Sequence, residues 1–210
     1  MGLEAAVRSR LHDRRHAAGA VRAQAPRRTR GRVRRDGMLE PIVQDYIRMV
    51  VELSREEFLA RQPVPFLVAV RALPGQSFQQ ARTRMMDERE QQQVRRQKFR
   101  FDPRAAVIEV QRQRGGMGDV TLGRSEENDI VLDEEEISAQ HAVFRFEGKT
   151  NRYSLEDFES TNGTFINQTQ LIAGRAVELK NRDYVQFGPL PFLFFYPEGF
   201  YDAVTAGLPD

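Results

Sequence analysis

Arg124, Ser138 and Asn162 each sit in a polar turn at the margin of a short apolar run, and their chemistry suits one task. Arg124 offers a fixed, planar fork of N–H donors that matches the oxygens of a phosphate ester. Ser138 can add a hydroxyl donor, and the backbone N–H groups of its loop can add others. Asn162 carries both an acceptor and donors, which lets it clamp the main chain of an extended ligand, and Thr161 beside it can shape the same wall. His141 and Asp157 complete a Ser-His-Asp set with Ser138 on paper. No nucleophile elbow and no oxyanion loop surround that set, so hydrolysis is the disfavoured reading. His12 and His16 stand at helical spacing without acidic partners, which argues against a metal site. No cofactor is called for, since a phosphorylated ligand brings its own charge and the loops bring donors.

These residues need a rigid frame. After Pro103 the chain breaks into short apolar or alternating runs separated by Gly, Asn and Asp. The runs predict strands over 107–111, 120–123, 130–132, 141–146, 153–157, 164–166, 177–179, 184–187 and 192–196, hence an all-β sandwich. Val143-Phe144-Arg145-Phe146 and Tyr184-Val185-Gln186-Phe187 alternate, so every second side chain can face a core. Phe66 to Val70 is a continuous apolar run of strand length, closed by Leu73-Pro74-Gly75. Upstream the period is helical. Pro41 can sit in a first turn, and Ile42, Tyr46, Met49, Val50 and Leu53 recur at spacings of three and four. Ser54 with Glu57 forms a capping box for a second helix, flanked by Leu53 and Phe58 at the staple positions. These helices can pack on an edge of the sandwich or present the Ile42 and Val50 face to a partner. Between Gln76 and Phe101 apolar residues are sparse, as in a solvated helix or an insertion.

Composition sets outer limits. The chain has 210 residues, 40% of them hydrophobic, which is enough for a core. It has no cysteine, so disulfides, thiolate metal sites and cysteine nucleophiles are excluded, and a reducing cytoplasm suits it. No apolar stretch approaches the roughly 20 residues of a membrane-spanning helix. Residues 1–37 hold 11 Arg against Glu4, Asp13 and Asp36, a charge of +8 in a chain of net +2, so the remaining residues are acidic. The basic pI therefore describes the tail, and nucleic acid is not the expected partner of the folded part. The tail alone offers a nucleic-acid arm, a transit peptide or a polybasic membrane contact. The Arg-to-Lys ratio of 29 to 3 suits GC-rich coding DNA, with Met38 as an alternative start.

Gly123-Arg124, Asn128-Asp129-Ile130, Ser138 with His141 three residues on, Ser160-Thr161-Asn162-Gly163-Thr164 and Phe187-Gly188 occur in the order and at the spacing of one signature. Over roughly 105–197 the sequence resembles the forkhead-associated (FHA) domain, a β-sandwich whose loops bind phosphothreonine peptides. The resemblance implies a mostly β fold with a helical N-terminal extension, no enzymatic activity, and a cytoplasmic signalling adaptor. Its partner would be a phosphothreonine-containing protein or peptide, with a Ser/Thr protein kinase upstream. It implies Arg124 as the principal phosphate ligand, Ser138, Thr161 and Asn162 as further peptide contacts, and a small pocket for the threonine methyl. Gly123, His141 and Gly163 are implied to be structural, with His141 tying loop backbones together. Glu136, Ala139 and Gln140 fall in the loop that helps to choose the residue three places after the phosphothreonine. A carboxylate at Glu136 should reject Asp there and favour Arg, Lys or a neutral residue.

Two departures stand out. Ala139 occupies a position that is often Arg or Lys in the family, and Asp133-Glu134-Glu135-Glu136 is wholly acidic. A fold that has lost phosphate binding and serves as a phosphate-independent scaffold is the alternative, with a nucleic-acid-binding regulator using the Arg-rich arm as a third. The expected organisation is a disordered, Arg-rich tail over 1–37 that an alternative start at Met38 would leave untranslated, a helical extension over 38–64, a strand plus polar insertion over 65–104, the sandwich over 105–198 and a C-terminal segment over 199–210.

Overall fold

The computed structural model describes residues 32–33, 41–70, 101–113 and 115–207. The expectations for the Arg-rich tail, apart from residues 32–33, and for the polar insertion after Arg71 lie outside the described residues. Twelve strands are described: β1 (Arg32–Val33), β2 (Phe66–Ala69), β3 (Val107–Glu109), β4 (Val120–Gly123), β5 (Ile130–Leu132), β6 (Ala142–Glu147), β7 (Arg152–Asp157), β8 (Thr164–Ile166), β9 (Thr169–Gln170), β10 (Val177–Glu178), β11 (Asp183–Phe187) and β12 (Leu190–Phe195). Three helices join them: α1 (Val43–Glu52), α2 (Arg55–Arg61) and α3 (Pro197–Ala206).

The strands form two six-stranded sheets. One, here sheet A, runs β1-β5-β4-β6-β7-β10, and the other, sheet B, runs β3-β2-β12-β11-β8-β9. Their facing sides enclose a core that includes Leu67, Ile108, Val120, Leu122, Phe144, Leu155, Val185, Phe187 and Phe194. The fold is thus a mostly β, FHA-like sandwich. In β11 the expected alternation is literal, with Asp183, Val185 and Phe187 buried and Tyr184 and Gln186 half-exposed.

A second core lies on the outer side of sheet B. Phe66 and Val68 of β2, Val107 of β3, and Leu193 and Phe195 of β12 meet Tyr46, Val50, Phe58, Phe200 and Val204 from the helices. Strands β2 and β12 are covered on both faces, which is why both read as unbroken apolar runs. Phe200 stacks on Phe66 at 4.4 Å between ring centroids and meets Tyr46 edge-on at 5.2 Å. Helices α1 and α2 therefore pack on a sheet face, not on an edge of the sandwich, and the side of α1 bearing Tyr46 and Val50 is occupied internally. Helix α3 lies where the sequence reading has only a C-terminal segment; it carries Pro197 in its first turn and buries Phe200, Ala203 and Val204 at helical spacing. Helix α2 begins as the capping box requires: Ser54 Oγ accepts from the Glu57 N–H at 3.3 Å, and Glu57 Oε2 accepts from the Ser54 N–H at 2.8 Å.

Candidate functional site

Three loops meet at one end of sheet A. The first, residues 124–129, returns the chain from β4 so that β5 pairs parallel to it, Leu122 opposite Ile130. The second, 133–141, links β5 to β6, and the third, 158–163, links β7 to β8. They are joined by specific bonds. Arg124 N–H donates to Ser138 O at 2.9 Å, and Ser125 N–H to Ala139 O at 3.1 Å. Asn128 is buried, and its Nδ2 donates to both Ser125 O (2.9 Å) and Ala139 O (2.7 Å). A side chain at Gly123 would run into the Ala139 carbonyl, so only glycine lets the first two loops come this close.

His141 joins the second loop to the third. Its Nδ1 accepts from the Ser138 N–H at 3.2 Å, and Nε2 lies 3.3 Å from Gly163 O. An accepting Nδ1 leaves the proton on Nε2, which then donates to Gly163. Burial holds the imidazole pKa below its usual 6.5, against a smaller opposing pull from the Gly163 carbonyl. The ring is neutral at physiological pH and both nitrogens are engaged by backbone. The nominal Ser-His-Asp set is not assembled: Nδ1 faces the Ser138 amide, not its hydroxyl. The Asp157 carboxylate accepts instead from Ser160 N–H (3.1 Å), Ser160 Oγ (2.6 Å) and Thr164 Oγ1 (2.6 Å). Among the described residues no group of three or more His, Asp or Glu is placed to hold a metal ion.

Above this foundation lies an open hollow of about 230 Å³ lined by Arg124, Glu135, Glu136, Ile137, Ser138, Ala139, Thr161 and Asn162. The Arg124 guanidinium is exposed; its Nη1 reaches the Glu135 carbonyl oxygen only at 3.5 Å, so little restrains it. Ser138 Oγ accepts from the Thr161 N–H at 3.0 Å and lies 3.4 Å from Thr161 Oγ1. Asn162 Nδ2 donates to Glu136 O at 2.8 Å, which fixes the amide plane. Of the residues singled out from sequence, Arg124, Ser138, Thr161, Asn162, Glu136 and Ala139 are brought together here, while Gln140 is exposed outside the lining. Gly123, His141 and Gly163 are buried behind it.

Three residues that the sequence names carry bracing roles it does not reveal. Asn128 was visible in the Asn-Asp-Ile run but had no assigned role. Asp157, which the sequence offers only as the acid of a Ser-His-Asp set, braces the third loop. Gly188 comes from sheet B: its N–H donates to Gly163 O at 2.9 Å, and at φ +52° a Cβ there would lie 3.1 Å from Glu136 O and 3.3 Å from Asn162 Cβ.

The model of the FHA domain family matches residues 120–188, which hold all three loops, His141 and Gly188. The chain carries an FHA domain. Such domains are phosphothreonine-peptide-binding modules. The glycogen accumulation regulator GarA of Mycobacterium tuberculosis is 37% identical over 89 residues, 41% of this chain and 52% of that protein. The sarcolemmal membrane-associated protein of Mus musculus is 36% identical over 69 residues, 31% of this chain and 8% of that protein. The chain thus spans about half the length of GarA and a small part of the mouse protein. Among solved structures, the N-terminal FHA domain of S. cerevisiae Rad53p in complex with a phosphothreonine peptide aligns with 46% of this chain and 88% of its own, at 19% identity and a TM-score of 0.38. Mycobacterium tuberculosis EmbR in complex with a low-affinity phosphopeptide aligns with 38% of this chain and 20% of its own, at 29% identity and a TM-score of 0.34. The β2 strand, the helices α1 to α3 and most of the second core fall outside the FHA match. No helix among the described residues is long and apolar enough to cross a membrane.

Proposed function

We propose that this chain is a non-enzymatic signalling adaptor that docks a phosphothreonine-bearing segment of another protein, written by a Ser/Thr protein kinase, into the hollow between the three FHA loops. The observation that carries this reading is convergence: an exposed guanidinium, a hydroxyl and an amide, from three loops, line one open hollow. Arg124 is the principal phosphate ligand, Ser138 the second donor, and Asn162 the main-chain clamp, whose Oδ1 faces away from its own bond to Glu136. Thr161 holds Ser138 in place. The engagement of both His141 nitrogens by backbone supports a site that holds the ester without attacking it.

Fluorescence anisotropy with matched phosphothreonine, phosphoserine and unphosphorylated peptides tests the reading, with wild type beside Arg124→Ala. Two charge-assisted bonds at roughly 1.5–3 kcal/mol each predict a loss of at least about 100-fold in phosphopeptide affinity. The exposed side chain predicts less than about 0.5 kcal/mol change in unfolding. Binding that survives Arg124→Ala overturns the assignment. It would favour a phosphate-independent scaffold, for which the exposure of Phe158 (47%) and Ile172 (67%) is the supporting observation.

A further inference from the structure

The loops that build the hollow are unequally charged. Over 124–129, 133–140 and 158–163, Arg124 is the one Lys or Arg, against eight Asp and Glu. Asp129 is turned inward: it accepts from the Thr121 N–H at 3.0 Å and the Gln113 N–H at 2.8 Å. The other seven are exposed or half-exposed: Glu126 and Glu127 on the first loop, the run 133–136 on the second, Glu159 on the third. Arg112, in the turn bonded to the first loop through Gln113, lies over Gly118. Ala139 leaves a further rim position without a cation.

Their arrangement matters as much as their number. The second loop lies between the other two, bonded to the first through Ser138 O and Ala139 O and to the third through Ser138 Oγ and Glu136 O. Ser138 therefore sits near the middle of the rim, with Arg124 on the first loop beside it and carboxylates on all three loops. An extended ligand advances about 3.3 Å per residue, so three residues on either flank of a central phosphothreonine cover about 10 Å each way. That reach brings its flanking side chains within a Debye length of the rim, about 8 Å at physiological salt. These carboxylates oppose the approach of a dianionic phosphate, most of all one with acidic flanks, whereas basic flanks are attracted to them.

We infer that the segment this hollow takes carries arginine or lysine on both sides of its phosphothreonine, so that the reaction supplying it is phosphoryl transfer by a kinase selecting basic-flanked threonines. The inference rests on the phosphothreonine reading above and extends the discrimination from one ligand position to both flanks. Glu134, Glu135 and Glu136 are the specificity-determining residues on the central loop.

The test is anisotropy on the full chain with four peptides of equal length: phosphothreonine flanked by Arg on both sides, by Ala, or by Glu, and the Arg-flanked peptide unphosphorylated. Each exposed ion pair is worth roughly two- to fivefold in affinity, so the Arg-flanked phosphopeptide should bind at least about tenfold tighter than the Ala-flanked one. The Glu-flanked peptide should bind weakest, and raising salt from 50 to 300 mM should shrink the Arg-over-Ala ratio. The triple variant Glu134→Gln, Glu135→Gln, Glu136→Gln should reduce the ratio while retaining phosphate dependence. Equal binding of Arg-, Ala- and Glu-flanked phosphopeptides overturns the flank inference and leaves the phosphothreonine reading standing. Failure of every phosphopeptide, or binding of the unphosphorylated Arg peptide as tight as its phosphorylated twin, overturns both.

Discussion

Replacing His141 by leucine removes the tie between the second and third loops while keeping a buried side chain of similar bulk. The Ser138 N–H, which donates to Nδ1 at 3.2 Å, loses its acceptor. The Gly163 carbonyl loses Nε2 but keeps the Gly188 N–H at 2.9 Å, so most of the cost falls on Ser138. An amide left unpaired under a loop costs about 1–3 kcal/mol, and the edge contact of the imidazole with Phe187, at 5.9 Å between centroids, adds a fraction more. His141→Leu should therefore destabilise the protein by about 2–3 kcal/mol in urea unfolding at pH 8, and weaken phosphopeptide binding through the displaced Ser138. The pH dependence carries a sign. Burial depresses the folded pKa below 6.5, so the unfolded chain binds the extra proton first as pH falls. The contribution of the neutral ring is fully present above about pH 6.5, the unfolded value, and is lost as pH falls through the depressed folded one. Protonated Nδ1 would also point a proton at the Ser138 N–H. Wild type should thus lose more stability between pH 7.5 and 5 than His141→Leu does. Equal pH slopes for the two proteins, or a destabilisation at pH 8 below about 0.5 kcal/mol, would refute the assignment of His141 as the neutral tie.

Two further substitutions probe the frame. Gly188→Ala places a Cβ at φ +52° within 3.1 Å of Glu136 O, so it should cost about 1–2 kcal/mol in thermal unfolding and lower phosphopeptide affinity more than a solvent-exposed glycine such as Gly174 would. Phe200→Ala empties the centre of the second core, where Tyr46, Phe58 and Phe66 meet, and should cost about 3–5 kcal/mol while binding measured below the new melting point is retained.

Strands were legible wherever one face meets a core and the other meets water. The positions of β4, β5 and β8 coincide with their apolar runs, and β11 follows its alternation residue by residue. What could not be read was which runs are neighbours. Nothing local to Phe66-Leu67-Val68 says that β2 lies between β3 and β12, because sheet order is set by contacts far apart in sequence. The hairpin between β8 and β9 turns on Asn167 and Gln168 at φ +49° and +70°, and the absence of glycine there hid it. Helix α3 was obscured by Gly199 in its first turn, a residue that costs helix propensity and whose close approach to Asn181 only the folded chain reveals. At the site, the ligand-facing types were readable from their donors. The bracing roles of Asn128 and Asp157 were not, since a buried amide or carboxylate resembles a solvated one until its partners are known.

The clasp of α1 and α3 over sheet B has a practical side. Residues 43–52 and 197–206 lie far apart in the chain, and Arg55 at the start of α2 bridges to Asp202 of α3 at 3.3 Å. Anyone excising the domain at the margins of its recognisable motif would strip away β2, β3, β12 and the covering helices together, leaving half a sheet unroofed. A transplantable unit therefore has to be cut outside Pro41 and Gly207, with the chain between β2 and β3 kept continuous.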